Sequence, residues 1–242
     1  MAALSDIPRR REPEIMDDPG LDPRLHAQAL RGLARLNRVS GVARTLWKVI
    51  EPLAREAGSR GKALSVLDVA TGSADVPMAL AGLARASGIS LELHACDISP
   101  RALEHAQERA RAAGVALRTF AVDALREPLP ATYDIVTCSL FLHHLDEDDV
   151  VRVLAAMREA TRGMLLVSDL RRCRRGLALA AVASHVFSRS PVVHTDAVLS
   201  VRAAWTIEEL RAMAARAGMA DARVVGVRPC RMLLSWSPGA RP

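Results

Sequence analysis

The chain has 242 residues, a formal net charge of +6 and a hydrophobic content of 50%. That apolar content is enough to bury a core and excludes wholesale disorder, while 14 Gly and 13 Pro exclude a collagen-like or low-complexity chain. The length suits one large α/β domain.

Lys48 and Lys62 are the only lysines, so the positive charge is almost all arginine. Aromatic residues are only 3%, and they are not interleaved with the basic ones as a single-strand nucleic-acid platform requires. No nucleic-acid partner is therefore expected. Cys96, Cys138, Cys173 and Cys230 form no C-x-x-C pair, which removes the zinc-knuckle and thioredoxin readings. Cys96 and Cys138 lie in apolar, strand-like runs and read as reduced buried thiols. No apolar run follows the N-terminal charges, and no stretch is long enough for a bilayer. The expectation is a cytoplasmic protein with no membrane partner.

Residues 1–22 are rich in Pro, Asp and Arg and read as a flexible lead-in, with Arg9, Arg10 and Arg11 in its tail. Residues 23–60 read as an N-terminal helical cap. Leu25, Ala29, Leu33 and Leu36 recur at helical spacing, and Val42, Leu46, Val49, Ile50 and Leu53 repeat the pattern after Gly41. Pro52 is expected to end or kink the second helix.

From residue 61 to 236 the rhythm alternates. A buried strand runs from Ala63 to Ala70, and a helix from Val76 to Ala86 ends at Gly88. A second strand covers 91–97, and Ser99 with Pro100 opens a helix as N-cap and first helical residue. Further strands are read at 116–123, 133–139 and 164–169, with a helix over 146–160. Thr206 and Glu209 have capping-box spacing, and 222–236 reads as a terminal hairpin. Strands alternating with helices predict an α/β, doubly wound, mostly parallel sheet. Residues 171–204 exceed an ordinary connection; they carry a helix over 176–187, hold His185 and His194, and read as a substrate-cap insertion.

In such sheets ligands bind beyond the carboxyl ends of the strands. Asp68, Asp97 and Asp123 end or nearly end three successive strands here. Each alone is an ordinary turn residue; together, beside a glycine turn, they suggest a binding crevice. Asp97 lies 25 residues after Gly72 and can accept two ribose hydroxyls, while Asp123 can accept from an adenine amino group. The first turn carries one glycine where a G-x-G-x-x-G pyrophosphate loop needs three. An adenosine without a pyrophosphate fits better.

Val66–Asp75, Cys96–Leu103, Val122–Leu129 and Tyr133–Leu145 resemble, in order and spacing, the successive motifs of the class I S-adenosylmethionine-dependent methyltransferases. The first motif is closest to the ubiquinone/menaquinone-type enzymes. The resemblance implies a Rossmann-like seven-stranded sheet with its last strand antiparallel, and S-adenosylmethionine as cofactor. It places Asp68, Ala70, Thr71, Gly72 and Ser73 at the methionine end. Asp97 falls on the ribose, Ile98 on the adenine face, Asp123 and Ala124 on the adenine edge, and Ser139 beneath the methionine part. Ala70 and Ala74 stand where the wider superfamily has glycines. Residues 14–41 resemble bacterial methyltransferases of polyketide and quinone-like products, which implies a small aromatic, phenolic acceptor.

Methyl transfer from a sulfonium needs alignment, exclusion of water and, for a phenol, removal of a proton. His143 and His144 follow the fourth strand and are the candidate bases, with His144 preferred. Arg171, Arg172 and His185 are candidate acceptor contacts, the arginines as a clamp on an anionic group. Two histidines with Asp146 nearby lack a third ligand at ordered spacing, so no metal is expected. C-methylation of a quinol, an RNA or protein methyltransferase, and a non-catalytic cofactor-binding regulator stand as alternatives to the O-methyltransferase.

Overall fold

The computed structural model describes residues 7–18, 20–22, 24–25, 28–29, 32, 35 and 41–239. Leu33 and Leu36 of the first helical repeat lie outside them, as do residues 1–6.

Seven strands form one sheet: β1 Leu64–Val69, β2 Leu91–Asp97, β3 Leu117–Ala121, β4 Tyr133–Ser139, β5 Thr161–Leu170, β6 Arg223–Val227 and β7 Arg231–Trp236. Their spatial order is β3-β2-β1-β4-β5-β7-β6. The first five are parallel to one another, and β7 runs antiparallel to both β5 and β6. The order reverses between β1 and β4, which opens a crevice at their carboxyl ends. The doubly wound, mostly parallel sheet with an antiparallel last strand is as the sequence predicts.

Seven helices accompany it among the described residues: α1 Val42–Ser59, α2 Asp75–Ala86, α3 Pro100–Ala112, α4 Glu147–Glu159, α5 Arg174–Phe187, α6 Pro191–Ala203 and α7 Ile207–Arg216. Adjacent strand residues face opposite layers. Val66 and Ile135 pack with Leu46, Ile50 and Leu80 of α1 and α2. Leu67 and Val136 pack with Leu154 and Met157 of α4 and Met213 of α7. Both faces are covered, so the central strands are continuous apolar runs rather than alternating ones.

Helix signals hold at several places. The Ser99 hydroxyl accepts from the Ala102 N–H at 3.3 Å. Thr206 and Glu209 exchange both capping-box bonds, at 2.8 and 3.2 Å. Pro52 does not end α1, which continues to Ser59. Pro52 and Lys48 are both exposed, so the carbonyl freed by the missing N–H faces water, while Leu46, Ile50 and Ala54 hold the helix to the sheet. The insertion contains two helices, α5 and α6, where the sequence shows one.

Arg24, Leu25, Gln28, Ala29, Gly32 and Arg35 are helical. Ala29 is fully buried against Val192 and Val193 of α6. At Gly32 an added Cβ would lie 2.3 Å from the Ser188 Oγ, so glycine permits the close approach to the α5–α6 connection. Arg35 donates to the Phe187 carbonyl at 2.8 Å. N-terminal residues and insertion are therefore packed on one another.

Candidate functional site

The first end of the site is built by β1, β2 and the loop after β1. Ala70, Gly72 and Ala74 all take left-handed backbone angles, with φ of 54°, 54° and 57°. For the two alanines this costs on the order of 1 kcal/mol each, strain typical of a functional turn. A Cβ added at Gly72 would meet nothing within 4 Å, so the loop's outer side is open. The Gly72 N–H donates to Asp97 Oδ2 at 2.8 Å, and the Ser99 N–H donates to Oδ1 at 2.9 Å. Arg109 braces the same loop from α3, donating to the Ser73 carbonyl at 2.7 Å and to Asp75 at 2.6 Å.

Asp68 lies beneath this loop, 3% exposed. It accepts from the hydroxyls of Thr71 at 2.8 Å and Thr137 at 2.7 Å. Burial pushes its pKa up to about 6 against the pull of those two hydroxyls, and nearby Asp97 adds to the rise. Thr71 is thus turned inward onto Asp68. Ile98 is 66% exposed, an apolar face left open next to Asp97. Asp123 accepts from the Leu125 N–H at 3.0 Å and lies 3.5 Å from Arg126, while Ala124 packs on the core. Ser139 ends β4 with a buried hydroxyl that has no hydrogen-bond partner among the described residues.

The second end lies beyond β4 and β5. Leu142–His144 is a 3-10 turn carrying both candidate histidines. His143 is 3% exposed, and its Nδ1 is 2.7 Å from Asp169 Oδ1, a fully buried carboxylate near the end of β5. Burial alone would lower the His143 pKa; Asp169 outweighs it and holds the imidazole above its ordinary value. Burial works against the Asp169 carboxylate too, and His143 brings it below the usual carboxylate range. Asp169 Oδ2 and Arg231 Nη1 are both buried without a hydrogen-bond partner among the described residues.

His144 is different. Burial, then the neighbouring His143, pull its pKa down to about 4. The two rings lie 4.1 Å apart. His144 is thus the weaker base of the two, which reverses the sequence preference: adjacency in the chain puts the rings in contact, but Asp169 touches only His143.

Glu14 reaches this turn from the N-terminal segment, 4.0 Å from His144 Nδ1. It accepts from the Ser200 hydroxyl of α6. Asp196, also on α6, accepts the N–H groups of Ile15 and Met16 at 2.9 and 3.0 Å and so fixes the backbone beside Glu14. The turn is held from behind as well. Arg9 donates to the carbonyls of Leu145 and Ala203 at 2.8 and 2.7 Å and stacks over Trp205 at 3.5 Å. Arg11 donates to the His144 carbonyl at 2.7 Å, and the Trp205 indole N–H to the Leu142 carbonyl at 2.9 Å. Residues 7–18 are therefore docked where the composition reads as a flexible lead-in. Their anchors are backbone carbonyls and side chains of distant elements, which leave no mark on local sequence.

Arg172 is not an acceptor clamp. Its side chain is 6% exposed and donates to the carbonyls of Ile7 and Ala204 at 2.8 and 2.6 Å and to Glu209 at 2.6 Å. All three of its nitrogens are used inside the structure. Arg171 packs over Gly226 on β6, 2.9 Å from the position of an added Cβ. His185 stacks on His194 at 3.8 Å, and its Nδ1 lies 2.7 Å from the Ala181 carbonyl. The structure thus gathers the cofactor candidates at one end and His143 with His144 at the other, and draws Arg172 and His185 into local contacts.

Asp169 and Glu14 are functional candidates that the sequence reading passes over. Asp169 had a signal, because it closes a strand as Asp68 and Asp97 do. Glu14 had none beyond its place in a segment resembling other methyltransferases.

A family model described as a methyltransferase domain matches residues 66–163. No curated protein matches the chain. Among solved structures, it is similar to magnesium protoporphyrin IX methyltransferase from Synechocystis, at 16% identity and a TM-score of 0.55, over 93% of this chain and 91% of that one. It is also similar to the S-adenosylmethionine-dependent methyltransferase SibL, at 22% identity and a TM-score of 0.56, over 80% of this chain and 56% of that one. A Nostoc punctiforme protein provisionally assigned as an O-methyltransferase matches at 21% identity and a TM-score of 0.55, over 82% of this chain and 61% of that one. The chain therefore spans little more than half the length of the last two. Residues 66–163 are thus similar to a methyltransferase domain, and the sheet order gives the chain the same fold as these solved structures.

Proposed function

We propose that the chain transfers the methyl group of S-adenosylmethionine to a hydroxyl of a small phenolic or polyketide-like aromatic. The observation that carries this is the buried His143–Asp169 pair beside the strand ends that carry Asp68 and Asp97.

The residues present fit the cofactor. Asp97 is oriented by two backbone N–H groups and keeps acceptor capacity for ribose hydroxyls. Ile98 offers an exposed apolar face for adenine. The open side of Gly72 lets the ligand approach backbone, and the unpaired Ser139 hydroxyl is available to a polar group. On this reading Asp123 and Ala124 would stand at the adenine edge. When bound, S-adenosylmethionine supplies an electrophilic methyl on a sulfonium.

The chain's own task is to hold the acceptor in line and take charge of its proton. Asp169 occupies His143 Nδ1, which fixes the ring and leaves Nε2 as its other functional atom. Glu14 and His144 complete a polar cluster around that position, where the acceptor hydroxyl would lie. Helix α6 packs on both the 15–17 and 142–144 turns and would exclude water there.

The test is incubation with labelled S-adenosylmethionine and a panel of phenols and quinols. Label on oxygen is expected. Label on ring carbon instead would replace this reading with C-methylation, and cofactor binding with no transfer would favour a regulator.

A further inference from the structure

We infer that Glu14, His143 and His144 form a binding site for a divalent transition ion of the zinc type. The ion-binding inference stands on geometry; the role given to the ion rests on the O-methyltransferase reading above.

One carboxylate oxygen and one nitrogen from each ring all lie within 4.8 Å of one another. Donor atoms around a tetrahedral zinc are about 3.3 Å apart, so side-chain rotations of an ångström or so would close the set. Two imidazoles and a carboxylate are the donor types that borderline divalent ions prefer. Three protein ligands leave a further position open, the pattern of catalytic rather than structural zinc.

The surroundings fit an ion site. A metal-ligating histidine usually donates its other N–H to a carboxylate. His143 Nδ1 is paired with Asp169 at 2.7 Å, which leaves Nε2 for the ion. The Ser200 hydroxyl orients Glu14. The third ligand comes from the N-terminal segment, so the spacing of the two histidines alone hides the site.

Among the described residues, Asp169 and Arg231 are charges that face the cluster, and Arg11 is paired to Asp146 at 3.1 Å. As the acceptor oxygen takes the open position its O–H bond would break, the proton being released to solvent before the site closes, and the electron pair would stay on oxygen as the nucleophile.

The full chain, stripped with chelator and dialysed, is titrated with Co2+ and then with Zn2+. One equivalent of Co2+ is expected, with visible d–d absorption of a low-coordinate nitrogen/oxygen site, displaced by one equivalent of Zn2+. Zn2+ should raise the melting temperature. Asp169→Asn should weaken Zn2+ roughly 10- to 100-fold. Glu14→Gln and His144→Ala should weaken it more and abolish the thermal shift, while the double variant His185→Ala, His194→Ala keeps it. No stoichiometric Co2+ would overturn the inference, as would retention of the ion in folded His144→Ala or its loss in the His185/His194 variant. Methyl transfer that survives chelator would overturn the ion's role and leave the O-methyltransferase reading standing. Stoichiometric ion binding with no transfer to any hydroxyl would do the opposite.

Discussion

The proposed cofactor end of the site takes its residues from one continuous stretch, from Asp68 to Ser139. The acceptor end takes Glu14 from the N-terminal segment, His143 and His144 from the turn after β4, Asp169 from β5 and Arg231 from β7. At the first end, each strand and its following loop deliver a residue in turn, so chain order and spatial order agree. At the second, no two successive elements suffice, and side chains from one end of the molecule complete the work of the other. A shared cofactor favours the first construction; the second leaves acceptor choice free to change by altering distant segments.

The strongest challenge to this division is His143→Ala. It should lower kcat by roughly 100- to 10,000-fold, as loss of a group that governs the acceptor's proton does, whether directly or by holding an ion, while cofactor affinity by calorimetry stays within about threefold. Equal losses in both would mean that the two ends are not separable. Asp97→Ala is the converse. Losing a carboxylate that holds the Gly72 loop and is proposed to hold the ribose should weaken cofactor binding on the order of 100-fold in calorimetry.

Arg172→Ala tests the support rather than the chemistry. It leaves Glu209 and two carbonyls without their donor, and chemical denaturation should show a loss of about 3 kcal/mol. A loss of acceptor affinity at unchanged stability would restore Arg172 as a substrate contact. The smallest effect concerns pH. Asp68 has its folded-state pKa raised to about 6, so the folded chain holds that proton more tightly than the unfolded one. Its contribution is fully present near pH 4 and is lost as pH rises through 6. Urea unfolding from pH 4 to 7 should show this slope, and Asp68→Asn should flatten it.

Much of the cofactor end was legible because its signals are local. Asp68, Gly72 and Asp97 sit at strand ends whose apolar runs announce themselves, and Ser99–Pro100 marks the next helix. Helix α6 was not legible. Its buried residues Val192, Val193, Asp196 and Val201 cover the N-terminal segment and the histidine turn, so its apolar pattern is spread around the axis instead of lying in one stripe. Arg172 misled for a related reason: an arginine after a strand looks the same whether it faces a ligand or three buried acceptors. Glu14 became visible only through Ser200 and Asp196, which act across separations of 186 and about 180 residues.

The docking of Arg9 bears on the order in which the molecule comes together. Its bonds to Leu145 and Ala203 close loops of 136 and 194 residues. Contacts of such sequence separation carry the largest closure entropy and form after local pairings have reduced it. In refolding, the β1–β4 half with its Gly72 loop would become native first, and the histidine turn would be locked last. Recovery of cofactor binding should then precede recovery of transfer, with the interval between them set by the N-terminal segment finding its carbonyls.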